Sequence, residues 1–220
     1  MTAQVVGVVL WHHTVRLQPL CECVDVIRIL RWLAAAVRRS NRWDDLPAEI
    51  PKGFLDTMRQ ELSGVLVNSW TEIAPISTTA ERCIFTDASN KGFGIVYTTM
   101  TGDLETDTPI ISRVFRGGLK SSHIFIREAA AAIWGIRHAL RRRHWRNVKI
   151  HLVTDNSAVA FALRSLYSSN DVVCGWIRQL AMELKDAGCT LEVEQVPSAM
   201  NPADPPSRLA AFDNDILQRG

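Results

Sequence analysis

The sequence predicts an α/β domain: a mixed sheet of a three-strand meander plus parallel strands, flanked by helices, behind a small, mainly helical N-terminal region. Three observations carry this. Short apolar runs follow one another between residues 83 and 115, separated by turn-rich segments, as in hairpin-linked strands. Beyond them, helix-length periodicity alternates with further short apolar runs, the pattern of a sheet that gains parallel strands under covering helices. The composition, 47% hydrophobic and 22% charged over 220 residues, is that of a globular chain able to bury a core.

In chain order, Gln4–Trp11 and Thr14–Gln18 read as two short strands with His12 and His13 at the turn. From Glu22 to Arg39, Val26, Ile29, Leu30, Leu33 and Val37 share one helical stripe. A second helix fits Gly53–Ile73, and Ala74–Glu81, with Pro75 and a Ser-Thr-Thr run, is the expected linker. Residues 1–80 thus form one region, 81–212 the main domain and 213–220 a tail. In the main domain, strands are expected at Cys83–Asp87, Gly92–Thr99 and Pro109–Phe115, with a hairpin tip at Thr101–Thr108. A helix from His123 to about Arg143 offers Ile126, Ala130, Ile133, Trp134 and Ala139 for packing. Val148–Thr154 is a strand, Ser157–Leu166 and Val172–Ala187 are helices, Thr190–Pro197 is a strand, and a short helix spans Ala203–Leu209. The order is β-β-β-α-β-α-α-β-α.

Bulk charge excludes little: a net +2 does not by itself mark a nucleic-acid binder. The five cysteines, at 21, 23, 83, 174 and 189, lack metal-site spacing and read as reduced thiols of an intracellular protein. Val5–Trp11 is too short, and too poorly flanked, for a signal peptide. No run reaches the ~18 apolar residues of a membrane span.

Four acids stand out by position. Asp87 and Asp155 each end an apolar strand, both as Thr-Asp. Two carboxylates side by side in a poorly solvated place repel each other, and a divalent cation is the simplest relief. With no His or Cys in the set, the ligands are hard oxygens, which suit magnesium or manganese rather than zinc. Glu128 lies early in a helix whose neighbours are almost all apolar, and Asp204 sits in a Pro-rich closing segment. Taken singly, each has an ordinary reading: turn residue for the strand-terminal acids, surface acid for Glu128, helix N-cap with Pro205 at the first helical position for Asp204. The ordered set, with gaps of 41, 27 and 49 residues between positions 87, 128, 155 and 204, carries the case.

The words around these acids resemble those of the ribonuclease H fold, in particular the ribonuclease H domains of retroelement reverse transcriptases. They are Thr86-Asp87-Ala88-Ser89, Ile126-Arg127-Glu128-Ala129-Ala130, Thr154-Asp155-Asn156-Ser157, and Asn201-Pro202-Ala203-Asp204 followed by Ser207-Arg208. The resemblance covers about residues 82–210 and is nearest to tyrosine-recombinase elements of the DIRS and VIPER kind. It implies a two-ion magnesium site, with manganese as substitute, in which Asp87 bridges both ions, Glu128 and Asp155 complete one position and Asp204 the other. It implies hydrolysis of the RNA strand of an RNA–DNA hybrid, with Ser89, Asn90 and Asn156 beside the backbone; their alternative reading is turn and cap chemistry. Two departures from the family pattern stand: no His precedes the last Asp, since none follows His151, and only Tyr167–Asp171 separates the two later helices, leaving no room for a basic protrusion. The basic run Arg137–Lys149, near Trp134 and Trp145, is offered either to phosphates or simply to solvent at a helix end.

Val6–Leu10 and Thr14–Leu17 resemble the last palm hairpin of a reverse transcriptase, with thumb or connection helices after it; the alternative is a helical scaffold. There is no Tyr-x-Asp-Asp word, so no polymerisation is expected. The polymerase domains of a larger reverse transcriptase are then natural partners, and no membrane is. Two competing functions remain: a domesticated, non-catalytic module that binds RNA or protein, and a DNA-cleaving relative such as a transposase or resolvase.

Overall fold

The structure, a computed structural model, describes residues 80–106 and 109–210, together with five helical positions between Gly53 and Ser63. By its internal contacts the chain divides into two compact units, Met1–Ala74 and Pro75–Gly220. The expected strands at Gln4–Trp11 and Thr14–Gln18, the helix at Glu22–Arg39 and the tail 213–220 lie outside the described residues.

Five strands form the sheet of the second unit. β1 (Ala80–Ala88), β2 (Phe93–Thr99) and β3 (Ile110–Arg113) are the antiparallel meander. β4 (Val148–Thr154) pairs parallel with β1, and β5 (Thr190–Gln195) parallel with β4, giving the order β3-β2-β1-β4-β5. The helices are α1 (Ile124–Arg142), α2 (Ser157–Arg164), α3 (Asp171–Asp186) and the short α4 (Asp204–Ser207). This is the mixed, helix-flanked sheet expected, in the expected element order.

β1 begins earlier than expected, inside the supposed linker. Ala80 and Glu81 pair with Val148 and Lys149 of β4. Glu81 is polar and therefore broke the apolar run in the sequence, but it has a cross-strand partner in His151, whose Nε2 lies 2.9 Å from its carboxylate.

α1 lies close on the sheet because the residues between are small. Ala129, Ala132, Ile133, Ile136, Ala139 and Leu140 are buried, and a Cβ on Gly135 would stand 3.2 Å from Ile95. The expected packing residues Ile126, Ala130 and Trp134 are only part-buried, so the buried stripe is rotated from the one anticipated. Tyr97 of β2 is fully buried, and its hydroxyl lies 3.0 Å from both the Gly135 carbonyl and His138 Nδ1, which ties the sheet to α1. α3 packs on α1 through Val173, Cys174, Ile177, Leu180 and Leu184, at helical spacing. Asn156 and Asn170 cap α2 and α3, each Oδ1 accepting two backbone N–H bonds from the first turn. Cys83, Cys174 and Cys189 are free, buried thiols.

The closing segment folds back over the first strands. Asn201 is buried; its Nδ2 donates to the Thr86 carbonyl at 3.0 Å and its Oδ1 accepts from Ala203 N–H at 3.1 Å. Ser112 Oγ donates to the Pro206 carbonyl at 2.6 Å. α4 sits so close on β2 that a Cβ at Gly94 would lie 2.3 Å from the Ala203 carbonyl oxygen and 2.6 Å from the Ser207 nitrogen. Both are backbone atoms and cannot be rotated aside. Gly94→Ala is expected to destabilise the domain by about 1–3 kcal/mol, the usual range for overpacking, read as a lowered urea midpoint. A midpoint equal to that of the parent would show that α4 is not held there.

Candidate metal and nucleic-acid site

The β1–β4 pairing sets the first two ligands side by side. Phe85 faces Val153 in parallel register, so Asp87, near the end of β1, and Asp155, just past the end of β4, stand at the same level, each two residues further on. α1 crosses above and brings Glu128 to the same place. One carboxylate oxygen from each of Asp87, Glu128 and Asp155 lies within 4.8 Å of the others. Asp87 and Glu128 are buried, and Asp155 is partly exposed.

This grouping is electrostatically costly. Burial, aided by the charges of Asp155 and Asp204, pushes the Asp87 carboxyl up to about 6, against a donor from Ser207. Burial likewise pushes Glu128 up to about 7; Asp87 and Asp155 add to the rise, while Asn156 and Arg127 oppose it. Glu128 Oε2 and Asp155 Oδ1 are buried without a hydrogen-bond partner. Orphaned carboxylate oxygens converging with a third carboxylate fit a hard divalent cation.

Asp204 lines the same cleft, an opening of about 390 Å³, but stands outside the trio. It is the first residue of α4 and caps nothing, contrary to the N-cap reading; Ala203 occupies the cap position. Its carboxylate accepts instead from Arg208 Nε and Nη2 at 2.7–3.0 Å, one turn on.

The three expected backbone contacts differ. Ser89 Oγ donates to the Ser207 carbonyl at 2.7 Å and accepts from the N–H groups of Lys91 and Gly92, so it is committed to the β1–β2 turn. Asn156 Oδ1 caps α2, and its side chain lies beside Glu128. Asn90 is exposed in the cleft, and its Oδ1 accepts from Arg127 Nη2 at 2.8 Å. Arg127, Arg208 and Asn201 were not singled out from the sequence, although all three stand inside the quoted words and Arg208 is four residues after Asp204, the spacing of a helical ion pair.

The basic run Arg137–Lys149, which spans the end of α1 and the segment after it, is largely committed to the fold. Arg137 and Arg141 reach Glu183 of α3, at 3.2 and 2.8 Å, Arg143 lies 4.1 Å over the Tyr97 ring, and Lys149 meets Glu192 at 2.8 Å. Among the described residues, no helix is long and apolar enough to cross a membrane.

The raised carboxyls give the metal-free protein a definite pH dependence. Folded, Asp87 and Glu128 keep their protons to about 6 and about 7; unfolded, they lose them near 3.8 and 4.5. Their contribution to stability is therefore complete below the unfolded values and is lost as pH rises through the folded ones. Metal-free Tm should fall from about pH 4 to about pH 8, and millimolar Mn²⁺ should restore it at the higher pH while adding little at the lower. Asp87→Asn should raise the metal-free stability at about pH 8 by about 1–3 kcal/mol. A pH-independent Tm over that interval, or no response to metal, would contradict the cluster as drawn.

A sequence profile for the RNase H-like domain found in reverse transcriptase matches residues 77–186, half of the chain. No curated protein matches. Among solved structures, the N-terminal RNase H domain of a Mycobacterium tuberculosis protein is similar at 19% identity, over 61% of this chain and 100% of that one, with a TM-score of 0.46. An RNase H1 named LC11, solved in complex with an RNA/DNA hybrid, is similar at 12% identity, over 59% and 94%, with a TM-score of 0.48. A foamy viral protease–reverse transcriptase, solved with double-stranded DNA, is similar at 13% identity over 77% of this chain and 34% of that one, TM-score 0.39. On the profile match, this chain belongs to the RNase H-like domains found in reverse transcriptases.

Proposed function

We propose that the chain is a metal-dependent endonuclease that hydrolyses the RNA strand of RNA–DNA hybrids, as the ribonuclease H part of a retrotransposon reverse transcriptase of DIRS or VIPER-like kind. The observation that carries the reading is the convergence of Asp87, Glu128 and Asp155 with two buried, unpartnered carboxylate oxygens. Such a site has little use except to hold a cation.

Asp87, Glu128 and Asp155 would hold one magnesium ion, and Asp87 with Asp204 a second, manganese substituting. Bound there, the pair would supply an activated water and charge stabilisation for the leaving oxygen. The protein's own part is to fix the carboxylates. β1 and β4 set two of them in register, α1 adds the third, and the Asn156 amide beside Glu128 favours its ionised form. Asp204 would join once its bond to Arg208 opens, which frees the guanidinium toward a phosphate. Asn90 lines the cleft and would offer its amide to the nucleic-acid backbone, with Ser89 beside it in the wall and Asn156 next to Glu128.

In this reading residues 1–80 are a palm-hairpin and thumb-like remnant, 81–212 the nuclease and 213–220 a tail, with polymerase domains as partners. Buried reduced thiols suit an intracellular setting.

With a hybrid carrying a labelled RNA strand, cleavage is expected in Mg²⁺ or Mn²⁺, and Asp155→Asn or Asp87→Asn should lower the rate by about 100-fold or more. No cleavage, or cleavage untouched by Asp155→Asn, would sink the proposal. Preference for duplex DNA would select the transposase or resolvase class, and absence of metal binding the non-catalytic module.

A further inference from the structure

Arg127 is a buried arginine next to Glu128 in sequence, 8% exposed, yet it does not pair with that acid. Nη1 donates to the Ser89 carbonyl at 3.1 Å and Nη2 to Asn90 Oδ1 at 2.8 Å, while Nε is buried without a partner. An arginine serving only as counter-charge would turn toward the carboxylates, where Glu128 Oε2 lacks a donor. This one turns its fork onto the β1–β2 turn.

The turn is otherwise well fixed. Ser89 N–H donates to the Gly92 carbonyl at 2.8 Å, and Ser89 Oγ ties the turn to the Ser207 carbonyl. What remains free at Asn90 is the side-chain amide, which in isolation could present either its oxygen or its nitrogen to the cleft. Arginine only donates, so Nη2 fixes the choice: Oδ1 faces Arg127, and Nδ2 is left as the donor of an exposed side chain that lines the cleft with the carboxylates. Sugar and phosphate oxygens of a nucleic-acid backbone are acceptors and match a neutral donor, which also leaves the charge of the carboxylates undiminished.

Building on the nuclease reading above, we infer that Arg127 is a positioning residue that acts through Asn90, holding its amide with Nδ2 toward a sugar–phosphate oxygen of the bound hybrid. Asn90 makes the contact, and Arg127 orients it. Arg127→Lys keeps the charge but loses the two-pronged donor geometry. Asn90→Asp keeps an acceptor for Arg127 and removes the Nδ2 donor.

The test is hybrid binding by the full chain, with Ca²⁺ in place of Mg²⁺, followed by fluorescence anisotropy, with Tm and Ca²⁺ affinity measured on the same samples. Asn90→Ala and Arg127→Lys are each expected to weaken binding about 10-fold, the worth of one good hydrogen bond. The double variant should be within about twofold of Asn90→Ala alone, because both remove one interaction. Asn90→Asp should weaken binding at least as much as Asn90→Ala while leaving Tm in place. Losses that multiply in the double variant overturn the inference, as do Asn90→Asp binding like the parent and Arg127→Lys either binding like the parent or failing to fold. If the parent itself binds no hybrid, the nuclease reading fails along with it; if the parent binds and the losses multiply, this inference alone fails.

Discussion

The parallel pairing of β1 with β4 is the constraint from which the site follows. Phe85 opposite Val153 leaves no choice about where Asp87 and Asp155 emerge, because both strands run the same way and carry a Thr-Asp pair at the same end. Shifting that register by one residue would turn one acid to the other face of the sheet. Antiparallel pairing would send the two acids to opposite ends. The parallel arrangement in turn requires a crossover, and the crossover is α1, whose early turns carry Glu128. The strand direction and the third carboxylate are therefore supplied by one topological choice.

The chemistry of the site works against the fold that builds it. Residues selected only for stability would not gather three carboxylates in a place where burial pushes two of them to about 6 and about 7. The surrounding structure offsets this through well-packed, ordinary parts: the alanine face of α1, the fully buried Tyr97, and the aliphatic seam of α3. Arg127 lowers the strain at Glu128 through its charge, although its hydrogen bonds go elsewhere. The site stays poorly satisfied because the rest of the domain is well packed around it.

Much of this was legible in the sequence, and the reasons are local. Apolar runs ending in acid gave β1 and β4, and Asn156 and Asn170 stand one residue before helices, where caps belong. The trio was legible because each acid sits among apolar neighbours that anchor its backbone. Contacts made by side chains across elements were not. Nothing at position 127 shows that its guanidinium reaches a turn 37 residues earlier, at Asn90. Asp204 could be read as a cap as well as a ligand because Pro205 follows it, whereas Ala203 holds the cap position and the Asp204 carboxylate goes to Arg208. The start of β1 was missed since Glu81 and Arg82 interrupt the apolar run, and Glu81 finds its partner in His151 of the neighbouring strand, a fact of pairing rather than of pattern.

The lock of Asn201 onto Thr86 spans 115 residues of chain. A contact of that length forms late, since closing the loop costs entropy before the contact returns anything. During synthesis the meander and α1 can leave the ribosome and collapse well before Asn201 exists. Over that interval Gly94 leaves a bare strip of backbone on β2, which α4 later covers. The meander and α1 carry Asp87 and Glu128, β4 then brings Asp155, and Asp204 is made last of the four. Maturation of the cleft is then tied to synthesis of the segment that carries Asn201 and Asp204, and a ribosome that stops short of it would leave a sheet with an unfinished mouth.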